Sequence, residues 1–235
     1  MLTEQQQAFL KVLDLVEEAG CIDHVILIGS WAEFVYREAK VLPGFCPNIK
    51  TMDVDFLVRN LRRPSPAARL TVLAKERGFF VESDRMTGTT KLLDITGLEV
   101  EFLIRKMGAG KEPALKTNIG VTAQALWHMD VILKNTIDVR CLNHIVAVPA
   151  PEAYAIHKMT INGERGKKPK KMPMPWKTCF HCWTRKSWQR CSVHFPKRRK
   201  HESARLQKLV ALRNASRESP RPLVGSILGR VFCLV

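Results

Sequence analysis

Two carboxylates stand two residues apart inside an apolar run, Met52-Asp53-Val54-Asp55-Phe56-Leu57-Val58. In a strand, residues i and i+2 point to the same face. Asp53 and Asp55 would therefore stand side by side, and neighbouring carboxylates repel unless a cation lies between them. Mg²⁺ is a hard divalent ion that takes oxygen ligands of this kind. An Asp-x-Asp pair alone also marks solvated strand ends and turns, so it needs company. The apolar run Val25-Ile26-Leu27-Ile28 ends in Gly29-Ser30, where exposed N–H groups and a small hydroxyl can cradle phosphate oxygens. A later run, Leu98-Glu99-Val100-Glu101-Phe102-Leu103-Ile104, carries two more carboxylates. A phosphate turn, two carboxylates and a third from a neighbouring strand is what metal-assisted phosphoryl or nucleotidyl transfer needs.

The elements that must position these residues follow from periodicity. Residues 3–19 predict a helix: Thr3 can cap it, Phe9, Leu10, Leu13 and Val16 form an apolar stripe, and Gly20 stops it. Residues 23–28 predict the first strand, ending at the Gly29-Ser30 turn. A helix over 31–40 follows, its N-terminus toward the phosphate turn, with Trp31 read as a core anchor. Residues 52–58 are the second strand. A helix over 67–77 follows Pro64-Ser65-Pro66 and ends at Gly78, and a short strand covers 79–82. Strands over 91–95 and 98–104 flank Thr96-Gly97, a two-residue hairpin signal. Glu99 and Glu101 then share a face, with Glu99 at the strand start expected to face solvent. Residues 106–116, with Gly108, Gly110 and Pro113, predict a loop that either covers a substrate or is flexible. Three short β-like runs follow at 131–133, 137–139 and 145–148. Pro149 and Pro151 introduce a helix over 152–161 bearing His157 and Lys158, with Arg165 just beyond.

The combination Ile28-Gly29-Ser30, then Asp53-Val54-Asp55, then Glu101 resembles the signature of the DNA polymerase β-like nucleotidyltransferase superfamily: an apolar residue, Gly, Gly or Ser, then Asp-x-Asp or Asp-x-Glu, with a third acid on a later strand. Within it, the chain is similar to stand-alone prokaryotic nucleotidyltransferase-like proteins of the toxin and abortive-infection type. The resemblance covers about residues 5–165. Ser30 and Asp53 lie farther apart than the family's spacing of about a dozen residues, which predicts a loop inserted over 37–50, with Pro43-Gly44 and Pro47-Asn48. The resemblance implies that Asp53 and Asp55 hold two Mg²⁺ ions and that Glu101 is the third, catalytic acid. It also implies that Gly29 and Ser30 hold the distal phosphates and that a basic residue near Lys158 helps hold the triphosphate; a solvated lysine on a helix face is the other reading of Lys158.

Composition divides the chain. It has 235 residues and a net charge of +16, yet residues 166–235 hold 18 Lys and Arg against 2 acidic residues. Residues 1–165 are balanced, 20 against 20. The chain is read as a nucleotidyltransferase-like domain over 1–165 and a basic Cys/Trp-rich tail over 166–235. The tail contains Cys179-x₂-Cys182 and Cys191-x₂-His194, a formal zinc-ligand spacing, among Trp176, Trp183, Trp188 and Lys197-Arg198-Arg199-Lys200, which would suit nucleic acid. The same composition, with Leu and Glu falling as Trp, Cys, Arg, Pro, Ser and His rise, is what reading a coding sequence out of frame produces. A disordered or frameshifted tail and a zinc or nucleic-acid module are the alternatives. No apolar run is long enough to span a membrane, and the N-terminus lacks a basic segment followed by an apolar one. A cytoplasmic location with free or metal-bound thiols is the expectation.

The expected fold is α/β (α+β), a small twisted mixed sheet with helices mainly on one face and an irregular C-terminal tail. The expected activity is metal-dependent transfer of a nucleoside monophosphate from an NTP to an acceptor hydroxyl on RNA, protein or a small molecule. The alternatives are a catalytically silent nucleotide- or nucleic-acid-binding protein whose tail does the work, and a regulatory partner in a defence or toxin–antitoxin operon.

Overall fold

The computed structural model describes residues 2–42, 51–108 and 112–164. Arg165, most of the inserted loop (43–50), residues 109–111 and the tail with Cys179, Cys182, Cys191 and His194 lie outside the described residues.

Helix α1 (Glu4–Glu18) opens with a reciprocal cap: the Thr3 hydroxyl accepts from the Gln6 N–H and the Gln6 side chain accepts from the Thr3 N–H. Its buried stripe is Ala8, Phe9, Val12, Leu13, Leu15 and Val16. A short 3₁₀ turn (Ile22–His24) replaces the first residues of the expected strand, and β1 (Val25–Ile28) follows, buried at every position. Helix α2 (Gly29–Glu38) starts directly at Gly29. The expected Gly29-Ser30 turn is thus the first turn of this helix. Strand β2 (Asp53–Val58) and helix α3 (Leu70–Glu76) come next. The helix begins three residues later than periodicity predicts. The reason is local: the Ala68 and Leu70 N–H groups donate to the Asn118 and Ile119 carbonyls, 2.7 and 3.4 Å away, so residues 67–69 pair with another segment before the helix starts.

Strands β3 (Phe80–Ser83), β4 (Thr90–Leu93) and β5 (Glu99–Arg105) form a meander. The β4–β5 connection is wider than a two-residue turn. Asp94 and Leu98 close it through a backbone bond, and the Asp94 carboxylate accepts from the N–H and hydroxyl of Thr96. The expected 106–116 loop yields to β6 (Ala114–Lys116), paired with β7 (Thr122–Leu126). Residues 131–133, read as β-like, belong to helix α4 (Asp130–Lys134). A three-residue apolar run is too short to fix a period, and the helix lets Val131 and Ile132 enter two different apolar clusters. The hairpin β8 (Thr136–Cys141) and β9 (His144–Pro149) and helix α5 (Pro151–Glu164) complete the order.

The result is the expected mixed α+β architecture. The main sheet runs β1-β2-β5-β4-β3, with β2 and β5 parallel and the other neighbours on that path antiparallel. Helices α1, α2 and α3 cover one face, packing on Leu27, Val54, Phe56, Val100 and Phe102. Trp31 lies inside this core as read, its ring stacked on Phe9 at 4.3 Å. On the other face, Ile26, Ile28, Leu57 and Leu103 pack with Met129 and Ile132. This second cluster covers only part of that face; the rest carries charge.

β5 has an unusual edge. Residues Glu99–Glu101 pair with β4, whereas Leu103–Arg105 pair with β7. The two partners part at Phe102, leaving a groove of about 250 Å³ lined by Thr87, Thr89, Thr90, Lys91, Glu101 and Gln124 among others.

Candidate active site

The parallel pairing of β2 with β5 aligns Asp53 with Glu99 and Asp55 with Glu101. Residues paired across neighbouring strands share a face, so four carboxylates stand on two adjacent rungs. The spacing-based reading of Asp53, Asp55 and Glu101 as neighbours on a common surface holds in this register. The next strand adds what the sequence did not disclose: β4 sets Lys91 opposite Glu101. Its ammonium forms ion pairs with both Glu99 and Glu101, the latter at 2.6 Å. Glu99, expected to face solvent, is half-buried and held by this lysine. The hydrogen bonds that the Lys91 ammonium donates to Glu101 and then Glu99 hold it strongly in its charged form.

Asp53 is exposed and accepts from the Thr51 hydroxyl at 3.0 Å. Asp55 is more enclosed. Burial, and then the negative charge of Glu101, push its carboxyl up to about 6, with Lys158 acting in the opposite direction. Its side chain rests on Gly29: a Cβ built at residue 29 would lie 2.2 Å from Asp55 Oδ2. Gly29 also has φ +69°, a left-handed conformation that favours glycine. Sequence and site therefore meet at one point, where the start of α2 must be bare for the aspartate to fit.

Helix α5 closes the other side. The Tyr154 hydroxyl donates to the Gly29 carbonyl (2.7 Å) and to Glu33 Oε1 (3.0 Å). Lys158, one turn on, places Nζ 5.2 Å from the Tyr154 ring centroid, and its positive charge reaches both Asp55 and Glu33. Lys158 is thus on the acid-bearing side of the molecule, with its charge felt at Asp55 and Glu33. Ser30 is the second residue of α2, half-buried beside Gly29. His157 is buried, its Nε2 without a hydrogen-bond partner, and burial followed by the charge of Lys158 lowers it to about 4. Tyr154, Glu33 and Lys91 were missed in the sequence because none has a spacing relation to the acids; only strand pairing and helix packing bring them in. A weak signal existed for Lys91, the basic residue opposite two acids in a predicted hairpin.

The donor set suits a hard divalent cation. All four acids offer oxygen, and the Asp55 carboxyl, raised first by burial and then by the charge of Glu101, is one whose ionised form a bound cation would favour. The described residues do not, however, converge into a closed coordination group of three His, Cys, Asp or Glu side chains. Elsewhere, Cys21 and Cys141 are free, buried thiols, pushed up to about 11 by burial. Among the described residues no helix is long and apolar enough to cross a membrane.

A family model described as nucleotidyltransferase matches residues 7–174, from within α1 to beyond α5. Two solved structures are similar to the chain. One is the solution structure of the antibiotic-resistance factor ANT(2'')-Ia, 14% identical, covering 93% of this chain and 100% of that chain with a TM-score of 0.43. The other is the crystal structure of an antigenic nucleotidyltransferase-like protein from Paracoccidioides brasiliensis, 16% identical, covering 86% of this chain and 88% of that chain, also with a TM-score of 0.43. No curated protein matches the chain.

Proposed function

The chain belongs to the nucleotidyltransferase family, and on that premise we propose that it moves a nucleoside monophosphate from an NTP to an acceptor hydroxyl with the help of divalent metal. The observation that carries this reading is the register that sets Asp55 beside Glu101 while the Asp55 carboxylate packs against Gly29 at the start of α2. Carboxylates and the positive end of a ten-residue helix thereby come together, which is what a metal-bound polyphosphate requires.

Asp53 and Asp55 would hold magnesium, with Glu101 as the third candidate ligand; a bound ion would supply charge neutralisation to the phosphate oxygens. The chain's own residues do the rest. The first N–H groups of α2 and the Ser30 hydroxyl donate to the distal phosphates. Lys158 adds positive charge on the same side. Tyr154 fixes the Gly29 carbonyl, and with it the start of the helix. The acceptor oxygen bonds to the α-phosphorus as the bond from that phosphorus to the bridging oxygen breaks. Pyrophosphate leaves, and a site carboxylate takes the acceptor proton. The hydroxyl-lined groove beside Glu101 is the acceptor's entrance in this reading.

The test is incubation with Mg²⁺ and each of four α-³²P-labelled NTPs, with cellular RNA, protein and small molecules as acceptors. Label transfer by the wild type and its loss in Asp53→Asn/Asp55→Asn is the expected result. Absence of transfer and of metal-dependent NTP binding in a folded sample would overturn it.

A further inference from the structure

We infer that Lys91 occupies the place of a second cation, so that the carboxylate site takes one divalent ion rather than two. The inference rests on the metal-dependent reading above and concerns how many ions that site accepts.

The observations are positional. Asp55, Glu101 and Lys91 are consecutive members of one rung across β2, β5 and β4. Glu99 lies two residues from Glu101 on the same strand and face. The Lys91 ammonium bridges both glutamates. Its strand is flanked on both sides by hydrogen-bonded neighbours, β5 and β3, so the backbone that carries it is fixed, and the two ion pairs place the ammonium at this pair. The four acids thus divide into an aspartate pair, Asp53 exposed and Asp55 part-buried, and a glutamate pair engaged by a built-in cation.

Charge counting points the same way. Four carboxylates and one ammonium leave three negative charges on these rungs. One divalent ion on Asp53 and Asp55 brings this to one. A second ion near Glu101 would compete with the ammonium for the same oxygens and be repelled by it. Lys91 is therefore a positioning residue: it holds Glu101 and sets the occupancy of the site without itself touching metal or phosphate.

Counting bound Mn²⁺ on the full chain, from the loss of the free-ion electron paramagnetic resonance signal, tests this without reference to activity. The variants are Lys91→Met, Lys91→Gln, Lys91→Arg and, as baseline, Asp53→Asn/Asp55→Asn. Subtracting the baseline cancels any ion held elsewhere in the chain. One ion above baseline in the wild type and in Lys91→Arg, rising to two in Lys91→Met, is the expected result. Two ions in the wild type overturn the inference while leaving the proposed function standing. An unchanged count of one in Lys91→Met also overturns it; should that variant fail to fold, Lys91→Gln carries the same comparison. No ion above baseline in any folded variant overturns the metal-dependent reading and this inference together.

Discussion

The carboxylate of Asp55 fills the space a side chain on residue 29 would need. Any Cβ at that position would meet Asp55 Oδ2 at 2.2 Å and Cγ at 3.2 Å. Gly29→Ala is therefore expected to cost more than the roughly 1–2 kcal/mol of left-handed strain alone. In an Asp55→Ala background the overlap disappears and only the strain remains. A double-mutant cycle of urea midpoints should show positive coupling between the two sites. Additive costs would mean that the two residues do not press on each other.

Asp55 should make the protein less stable as it ionises. Its folded carboxyl is raised from 3.8 to about 6. Between these values the unfolded chain has released a proton that the folded chain retains, so stability falls as pH rises through that window. Asp55→Asn is expected to remove this dependence and to raise stability at pH 7 by up to about 3 kcal/mol, the free-energy equivalent of moving one carboxyl from 3.8 to about 6, in metal-free buffer. Thermal melts from pH 4 to pH 7 read it directly.

His157 has the opposite sign. Its folded imidazole is lowered from 6.5 to about 4. Between pH 6.5 and pH 4 the unfolded chain takes up a proton that the folded chain refuses, so stability is lost as pH falls. His157→Leu keeps the volume and removes the unpartnered Nε2. The acid limb of its melting curve should flatten, leaving it roughly 3 kcal/mol ahead of wild type at pH 4 relative to their difference at pH 7.

Tyr154→Phe should separate positioning from packing. The ring stays, but the hydroxyl bonds to the Gly29 carbonyl and to Glu33 are lost. A loss of about 0.5–1.5 kcal/mol is expected from removing hydrogen bonds to these part-buried partners. Nucleotidyl transfer should fall by at least about tenfold, because the start of α2 loses its anchor. Unchanged transfer with reduced stability would place Tyr154 in the scaffold alone.

Much of this was legible in the residues themselves. Thr3 announces the first cap, and the period-2 pattern of 53–58 announces the strand that carries the aspartates. Gly29-Ser30 after an apolar run marks the junction at which the second helix starts. What was hidden depends on partners distant in the chain. The length of α3 was misjudged because residues 67–69 pair with 118–119, a contact no local window contains. The 131–133 run was misread because a helix of five residues leaves too few turns for its period to show. Glu99 was read as solvated because Lys91 belongs to another strand, and only strand pairing makes them neighbours.

The hydrogen bond from Tyr154 to the Gly29 carbonyl joins residues 125 positions apart. On the ribosome the first strand and the start of α2 emerge long before their anchor exists. At synthesis rates of about 5–20 residues per second, roughly 6–25 s separate the making of Gly29 from the making of Tyr154. For most of that interval, once Asp53 and Asp55 have been made, the nascent chain carries both aspartates, but the start of the helix they face has not been tied down. The newborn protein gains its complete site only as one of the last described helices is laid in place.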